Sequence, residues 1–165
     1  MYEIGQLWAE GKLDIATEHV CSNTAQSLID FINEKNLKVY HKAKILVCTP
    51  NGELHNLGCK VIESFLISKG FKVFNISPSV PAESVISYIL EVKPDTIIIS
   101  ISLDENIKAG KNLVKKIRSI FSSLILVGGF ATAKKDKLNF DATILPNGSF
   151  HEIEIELQSI KSNRK

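Results

Sequence analysis

The chain has 165 residues, of which 44% are hydrophobic, a size and composition typical of one packed domain with a small appendage and not of a disordered protein. Its formal net charge of +2 is too small to predict nucleic acid as an electrostatic partner. Cys21, Cys48 and Cys59 form no CxxC pair, so we interpret them as free thiols in a reducing cytoplasm. The first residues lack the pattern of a signal peptide, and no segment reaches the length of a membrane span.

The first forty residues predict two helices and no strand. The first helix covers about residues 1–10, and the second begins near Asp14, a common N-cap residue, and ends near Lys35. Glu18 projects within the apolar face of the second helix, and His19 lies at its border. The apolar face itself consists of Ile15, Cys21, Ala25, Leu28, Ile29 and Ile32. Because two helices bury their own apolar sides poorly, this segment needs the rest of the chain, another chain or a ligand to pack against.

After this segment, short apolar runs alternate with amphipathic helical patterns. The runs predict strands at residues 45–48, 71–76, 96–100, 124–127 and 142–145. The helical patterns cover residues 56–69, 82–92, 105–121 and about 149–160. Strands that are apolar throughout and alternate with helices predict a parallel sheet covered on both faces. We therefore predict a flavodoxin-like, doubly wound α/β domain with five parallel strands over residues 41–165, preceded by a short two-helix segment over residues 1–40.

The loop after the first predicted strand carries a glutamate and a histidine, Glu53 and His55. A histidine at the carboxyl end of a strand can bind a metal through one ring nitrogen, while a carboxylate orients the ring through the other. Zinc needs three or four protein ligands, and no second histidine or cysteine lies nearby at ligand spacing. A single imidazole suits a metal whose other positions are filled, such as a macrocycle with an open axial position. Taken alone, the pair favours the alternative, a solvated histidine beside a surface glutamate.

Other unusual residues fall at the same predicted edge of the sheet. Gly58 lies in the first turn of the next helix, Ser100 and Ser102 lie at the third strand, and Gly128 and Gly129 follow the fourth. Each could contact a ligand there, and each has an ordinary interpretation in helix packing, strand-end solvation or a tight turn. The glycines match neither a dinucleotide fingerprint nor a phosphate-binding loop.

The helical segment has its own unusual residues. Trp8 is the sole tryptophan, which on its own is best interpreted as a core anchor between the two helices. A carboxylate on an apolar face, as at Glu18, is expensive to bury unpaired and needs a partner, for which a ligand hydroxyl or amine would serve. His41 and His151 lie in polar surroundings and are interpreted as surface residues. The chain shows no nucleophile–base pair, so we do not predict an enzyme.

Together, these motifs resemble the cobalamin-binding family, whose signature is a carboxylate, any residue, His, two residues and Gly, followed by a serine-containing strand and Gly-Gly. Here the signature reads Glu53-Leu54-His55-Asn56-Leu57-Gly58, then Ser100-Ile101-Ser102-Leu103, then Gly128-Gly129. The family usually has aspartate in place of Glu53, and glutamate there is similar to a sub-group of light-responsive cobalamin regulators. The same sub-group has Trp, nine residues, Glu and His, matched by Trp8 and Glu18-His19.

The resemblance implies a cobalamin cofactor, with adenosylcobalamin favoured and methylcobalamin as the alternative form. His55 would replace the cofactor's dimethylbenzimidazole as the lower axial cobalt ligand, and Glu53 would orient it. The displaced nucleotide tail would enter a slot past Gly58, Ser100, Ser102, Leu103, Gly128 and Gly129. The signature loop adds Leu54, Asn56 and Leu57 to the cofactor-binding residues. The upper face of the cofactor would be covered by Trp8, Glu18 and His19.

Three departures from the family pattern qualify these expectations. The cap in the family is a four-helix bundle, whereas residues 1–40 provide half of one, so we expect a protein partner or a second copy to complete it. Ala9 stands where light-sensing relatives often carry a histidine after the tryptophan. No DNA-binding domain precedes the module, so we expect no direct nucleic-acid binding, and no membrane association either.

Three functions compete on these grounds. The first is a sensory or regulatory, light-responsive adenosylcobalamin protein that acts with partners. The alternative is the corrinoid carrier protein of a methyltransferase system, ranked second because carriers usually lack the Trp to Glu-His motif. The third is a cofactor-free domain of the receiver type, which Ser100 and Ser102 disfavour because they stand where a phospho-accepting aspartate is needed.

Overall fold

The computed structural model of the chain describes residues 3–4, 7, 10–35, 42–133 and 138–162. The chain divides into two compact units, Met1–Lys38 and Val39–Lys165. Trp8, Ala9 and His41 lie outside the described residues, as does most of the first predicted helix.

The helical unit contains α1, Ile15–Lys35. Asp14 caps its start, because Oδ1 of Asp14 accepts the backbone N–H of Thr17 at 3.0 Å. Three of the six residues of the predicted apolar face are half-buried, namely Cys21, Ala25 and Ile29. The other half is 52–58% exposed, namely Ile15, Leu28 and Ile32. The buried side of α1 is therefore rotated toward Ala25 and Ile29 relative to the predicted face.

The second unit alternates strands and helices along the chain. In the described residues its strands are β1 (Lys44–Cys48), β2 (Lys72–Asn75), β3 (Thr96–Ser100), β4 (Leu124–Gly128) and β5 (Thr143–Ile144). Its helices are α2 (Leu57–Ser68), α3 (Ala82–Val92), α4 (Ile107–Arg118) and α5 (Phe150–Ser162). The predicted helix over residues 105–121 differs at both ends, because it begins with a 3₁₀ turn at Asp104–Asn106 and α4 ends at Arg118.

The described strands form one five-stranded sheet in the order β2-β1-β3-β4-β5, and every pairing is parallel. Strand β3 is buried along its whole length, as expected for an aliphatic strand covered on both faces. The strand order reverses between β1 and β3, so their carboxyl ends flank the crevice where ligands of open α/β sheets bind. The predicted flavodoxin-like fold is confirmed.

Two apolar cores cover the two faces of the sheet. On one face the core includes Val85 and Ile89 of α3 and Leu113 of α4. On the other face it includes Leu66 of α2 and Ile153 of α5. The pairs of helices that flank the sheet are therefore α3 with α4 and α2 with α5, as expected for a doubly wound domain.

The cysteines are free thiols. Cys48 and Cys59 are fully buried, whereas Cys21 is half-buried. Burial raises the pKa of the Cys59 thiol to about 11, although hydrogen bonds with Ser77 and Ser100 act in the opposite direction. The buried thiols are therefore protonated and serve as small apolar core residues. Among the helices that the structure describes, none is long and apolar enough to cross a membrane.

Candidate functional site

The loop between β1 and α2 brings Glu53 and His55 into direct contact. Oε1 of Glu53 lies 2.8 Å from Nδ1 of His55 and also accepts the backbone N–H of His55 at 3.0 Å. The glutamate is 0% exposed, whereas the histidine side chain is 59% exposed. A buried carboxylate therefore holds the exposed imidazole in place.

The second carboxylate oxygen of Glu53 joins this loop to the one that follows β3. Oε2 of Glu53 accepts the backbone N–H groups of Ser102 at 2.9 Å and Leu103 at 3.1 Å. It also accepts the side-chain amide N–H of Asn106 at 3.0 Å. Burial alone would raise the pKa of Glu53, but the hydrogen bonds from Asn106, His55 and Leu103 outweigh it and hold the pKa below its ordinary value.

This arrangement determines what His55 can do. An ionised carboxylate only accepts hydrogen bonds, so the proton in the Glu53–His55 contact belongs to Nδ1. In the neutral ring, Nε2 then keeps a lone pair on an exposed side chain and can bind a metal. The hydrogen bond from Nδ1 also fixes the plane of the ring.

A third loop supports the backbone of the Glu53 segment. The N–H of Ser79, between β2 and α3, lies 2.8 Å from Oγ1 of Thr49 and 3.1 Å from the carbonyl oxygen of Glu53. In return, Oγ of Ser79 accepts the N–H of Gly52 at 2.9 Å. Sequence reasoning missed Thr49, Ser79 and Asn106, because each acts through a contact between loops that no spacing along the chain reveals.

The three predicted site glycines have different structural reasons. Gly129 has φ +112°, and a Cβ there would lie 2.3 Å from the carbonyl oxygen of Ile101, so the fold itself requires glycine. A Cβ at Gly128 would make only ordinary contact with Leu145, at 3.5 Å. A Cβ at Gly58 would meet only Oγ of Ser100, at 3.8 Å. The fold alone therefore does not explain Gly58, and its missing side chain leaves room beside the His55 loop.

The other predicted residues of this edge differ in exposure. Ser100 is 6% exposed, Leu103 is 38% exposed and Leu54 is 70% exposed. Half-buried positions are occupied by Asn56, Leu57 and Ser102. Sequence reasoning missed Phe130, which is 76% exposed directly after the glycine pair. An aromatic residue just beyond the carboxyl end of a central strand was the signal that could have identified it.

The helical unit contains a second glutamate–histidine pair. Nδ1 of His19 lies 2.7 Å from Oε2 of Glu18, and Oγ of Ser22 donates to Oε1 of Glu18 at 2.5 Å. The side chains of His19 and Glu18 are 66% and 24% exposed. Trp8, the third predicted residue of this set, lies outside the described residues.

One groove of the α/β unit lies away from these residues. A cavity of about 650 Å³ between α3 and α4 is lined in part by Glu83, Leu113 and Lys116. Lys116 forms an ion pair with Glu83 there. None of the predicted site residues lines this groove, so shape alone does not identify the candidate site.

The residues at the carboxyl edge fit a metal cofactor that brings most of its own ligands. Within the described ranges, no group of three His, Cys, Asp or Glu side chains is arranged to hold a bare metal ion. The chain does offer one oriented imidazole, that of His55, with open space beside it at Gly58. A single nitrogen donor is what a macrocyclic metal with one vacant axial position requires.

Comparison with known proteins gives two family matches. Residues 43–149 match the model of a family described as B12 binding domain, and residues 1–33 match a second model with the same description. The chain is 26% identical over 101 residues to trimethylamine corrinoid protein 1 of Methanosarcina mazei. That alignment covers 59% of this chain and 47% of the relative, so the chain spans about half the length of this curated relative.

Solved structures show the same fold. The monomethylamine corrinoid protein of Methanosarcina barkeri is similar with a TM-score of 0.71 and 16% identity, over 94% of this chain and 76% of that one. The methanol:cobalamin methyltransferase complex of Methanosarcina barkeri is similar with a TM-score of 0.60 and 17% identity, over 96% of this chain and 63% of that one. Since the match over residues 43–149 covers more than half of the chain, the chain belongs to the B12-binding domain family, and its α/β unit is a cobalamin-binding module.

Proposed function

We propose that the α/β unit binds cobalamin with the dimethylbenzimidazole displaced and with Nε2 of His55 as the lower axial cobalt ligand. The observation that carries this proposal is the contact between His55 and the buried carboxylate of Glu53, at 2.8 Å. It leaves the lone pair of Nε2 to bind the metal, on a histidine side chain that is 59% exposed. Glu53 is in turn held by Ser102, Leu103 and Asn106, so the imidazole has a rigid support.

The remaining residues of this edge would hold the rest of the cofactor. Gly58 and the Ser100 hydroxyl beside it would admit and contact the displaced nucleotide tail. The slot would be completed by Ser102, Leu103, Gly128 and Gly129, and the loop by Leu54, Asn56 and Leu57. Gly129, which follows β4, must be glycine for a structural reason, because a Cβ there would clash with Ile101. No such reason applies to Gly58, so Gly58 is the more informative position for testing contact with the tail.

We propose that the module serves as a corrinoid carrier protein of a methyltransferase system and is not itself the catalyst. When bound, the cobalt of such a cofactor would hold a transferable methyl group as its upper ligand. The support is that two similar proteins are named as methylamine corrinoid proteins, and a third structure is a methanol:cobalamin methyltransferase complex. The expected partner is therefore a methyltransferase, and the order of preference from the sequence alone, with a light sensor first, is reversed.

The helical unit enters this proposal as a partial cap. We propose that residues 1–40 cover the upper face of the cofactor, with Trp8, Glu18 and His19 in contact with the upper ligand, and that residues 41–165 form the cobalamin-binding domain. Val20, Leu28 and Ile32 of α1 are 65%, 58% and 52% exposed, an unusual apolar surface for a single helix. A partner protein or a second copy would cover it and complete the cap.

A light-responsive sensor is the second candidate function. The observation that favours it is the contact between Glu18 and His19. By the resemblance to light-responsive regulators, these two positions match residues that contact the adenosyl group. In that case the chain would hold adenosylcobalamin and change its assembly when the upper ligand is lost.

The cofactor is tested by desalting protein that has been mixed with cobalamin in the dark and recording its visible spectrum. We expect cobalamin to elute with the protein and its spectrum to change in His55→Ala. His151→Ala is the matched control, since His151 is also exposed but lies on α5. Equal spectra for the wild type and His55→Ala would contradict the axial role of His55, and no bound corrinoid in the wild type would contradict the module.

The two candidate functions are separated by illumination. Protein loaded with adenosylcobalamin is analysed by gel filtration with light scattering before and after green light. A carrier is expected to keep its mass and elution volume, whereas a sensor is expected to change them. The carrier also predicts that reduced, cobalamin-loaded protein accepts a methyl group from methyl iodide, and failure to do so would count against it.

A further inference from the structure

Thr49 is the first residue after β1 and begins the loop that carries Glu53 and His55. It is a polar residue, yet it is 0% exposed. Its Oγ1 accepts the backbone N–H of Ser79 at 2.8 Å and donates to the carbonyl oxygen of Glu53 at 3.2 Å. A hydroxyl has one proton to donate and lone pairs that accept, so it makes both bonds at once. The side chain of Thr49 therefore links the loop between β2 and α3 to the backbone of Glu53.

The hydrogen bond between Thr49 and Glu53 spans a tight turn. The backbone N–H of Glu53 donates to the carbonyl oxygen of Pro50 at 3.0 Å and closes this turn. Gly52 has φ +90°, the sign that a type II turn requires at that position, and its N–H donates to Oγ of Ser79 at 2.9 Å. Ser79 has φ +46°, which is uncommon for a residue with a side chain and persists where surrounding contacts hold it. The turn and the facing loop therefore hold each other in place.

The carbonyl group of Glu53 belongs to the peptide that leads to Leu54, the residue before His55. Its oxygen accepts hydrogen bonds from Oγ1 of Thr49 and from the N–H of Ser79, the latter at 3.1 Å. Because a peptide group is planar, holding this oxygen also holds the plane from which the chain continues to His55. The contact with the Glu53 carboxylate orients the imidazole ring, whereas the contacts of the carbonyl group orient the backbone that carries it.

We infer that Thr49 is a positioning residue, whose hydroxyl sets the direction in which His55 is presented to the metal. The inference rests on the proposed function, in which His55 binds cobalt. Loss of the hydroxyl leaves the N–H of Ser79 with an acceptor, the carbonyl oxygen of Glu53, so no buried donor becomes unpaired there. A variant without the hydroxyl is therefore expected to fold. The peptide before His55 is expected to tilt more freely, which weakens the bond from His55 to cobalt.

The test makes the same substitution at two buried threonines. Thr49→Val removes the linking hydroxyl at nearly constant shape, and Thr49→Ser keeps it. Thr96→Val is the matched control, because Thr96 is also 0% exposed, lies at the start of β3, and has an Oγ1 without a hydrogen-bond partner in the part of the chain that the structure describes. Each protein is labelled with nitrogen-15, loaded with cobalamin and reduced to cob(II)alamin.

The loaded proteins are then titrated with unlabelled imidazole and followed by electron paramagnetic resonance. Cob(II)alamin holds one axial nitrogen, so the doublet from nitrogen-15 of His55 gives way to the triplet from nitrogen-14 of imidazole. We expect half of His55 to be replaced in Thr49→Val at an imidazole concentration roughly three- to tenfold lower than in the wild type. Thr49→Ser and Thr96→Val are expected to stay within about twofold of the wild type.

Equal imidazole concentrations for the wild type and Thr49→Val would overturn the inference and leave the hydroxyl a role in stability alone, which urea unfolding monitored by circular dichroism measures separately. An equal fall in Thr49→Ser or in Thr96→Val would also overturn it, because the effect would then not follow the linking hydroxyl. Should Thr49→Val not fold, Thr49→Ala is the second variant, with the same expected result. A wild type that shows no nitrogen-15 doublet before imidazole is added would contradict the proposed function itself, a result distinct from a doublet that Thr49→Val does not change.

Discussion

In the part of the chain that the structure describes, two glutamate–histidine pairs have nearly the same contact distance and very different surroundings. Glu53 and His55 are 2.8 Å apart, and Glu18 and His19 are 2.7 Å apart. Glu53 is 0% exposed and accepts hydrogen bonds from two further backbone groups and from Asn106, whereas the Glu18 side chain is 24% exposed. The distance alone therefore says little about what a histidine in such a pair can do.

The difference lies in the burial of the carboxylate and in the parts of the chain that are seen to hold it. Donors from a separate loop hold Glu53 on the side away from His55, so the position of the imidazole is set by the fold of three loops. Glu18 and His19 are neighbours on one helix, and Ser22, which donates to Glu18, lies one turn away on the same helix. A fixed imidazole is what a single axial ligand requires, and an exposed pair on a helix keeps more freedom.

The largest difference in the free energy of unfolding is expected between Glu53→Gln and Glu18→Gln. The glutamine amide would direct N–H groups at buried donors of the Glu53 site, so we expect a loss of about 2–4 kcal/mol in the free energy of unfolding. Glu18→Gln removes a partly exposed charge and is expected to lose about 1 kcal/mol or less. Urea unfolding monitored by circular dichroism measures both. Equal losses would show that burial of Glu53 does not distinguish the pairs.

A smaller difference in stability is expected when one hydrogen-bond donor to each carboxylate is removed. Asn106→Ala deletes the amide that donates to Glu53 at 3.0 Å, and Ser22→Ala deletes the hydroxyl that donates to Glu18. We expect Asn106→Ala to lower the free energy of unfolding by about 1–2 kcal/mol and Ser22→Ala by no more than about 0.5 kcal/mol. The same urea titrations apply, and an Asn106→Ala variant as stable as the wild type would remove Asn106 from the support of His55.

Low pH is expected to reduce the stabilisation that Glu53 provides. Folding depresses the pKa of Glu53 below its ordinary value of 4.5, so the ionised form stabilises the folded state. This stabilisation is fully present above pH 4.5 and is lost as pH falls through the folded-state pKa. We therefore expect the stability difference between the wild type and Glu53→Gln to be constant near neutral pH and to shrink below pH 4.5. A difference that stays constant down to pH 3 would contradict an ionised Glu53.

The smallest effect on stability is expected at Gly58. Gly58→Ala meets no close atom and replaces glycine within a helix, so we expect the free energy of unfolding to stay the same or rise by about 0.5–1 kcal/mol. Cobalamin affinity is expected to fall at least about tenfold, because the methyl group would occupy space proposed for the tail. Gly129→Ala is the contrasting control, since it is expected to destabilise the fold by about 2 kcal/mol or more. Unchanged cobalamin affinity in Gly58→Ala would leave its missing side chain unexplained.

Most of the fold was predictable because the strands are aliphatic on both faces and the helices have clear apolar periodicity. The element bounds agree within a few residues, and the main difference is the 3₁₀ turn that begins at Asp104. Periodicity has no equivalent for contacts between loops, which is why Glu53 and His55 were identified while Asn106 and Ser79 were not. The sequence also does not predict which side chains of α1 are exposed. Leu28 and Ile32 fit an apolar face by their spacing but are exposed in the structure.

The most direct test of the central proposal is electron paramagnetic resonance of reduced, cob(II)alamin-loaded protein labelled with nitrogen-15. The unpaired electron on cobalt couples to the nitrogen that is its axial ligand, so the splitting identifies whether that nitrogen comes from the protein or from the cofactor. We predict a doublet from a single nitrogen-15, lost in His55→Ala and retained in His19→Ala. A triplet that labelling does not change would mean that the cofactor's own dimethylbenzimidazole still binds cobalt, and that Glu53 does not hold His55 in place for this role.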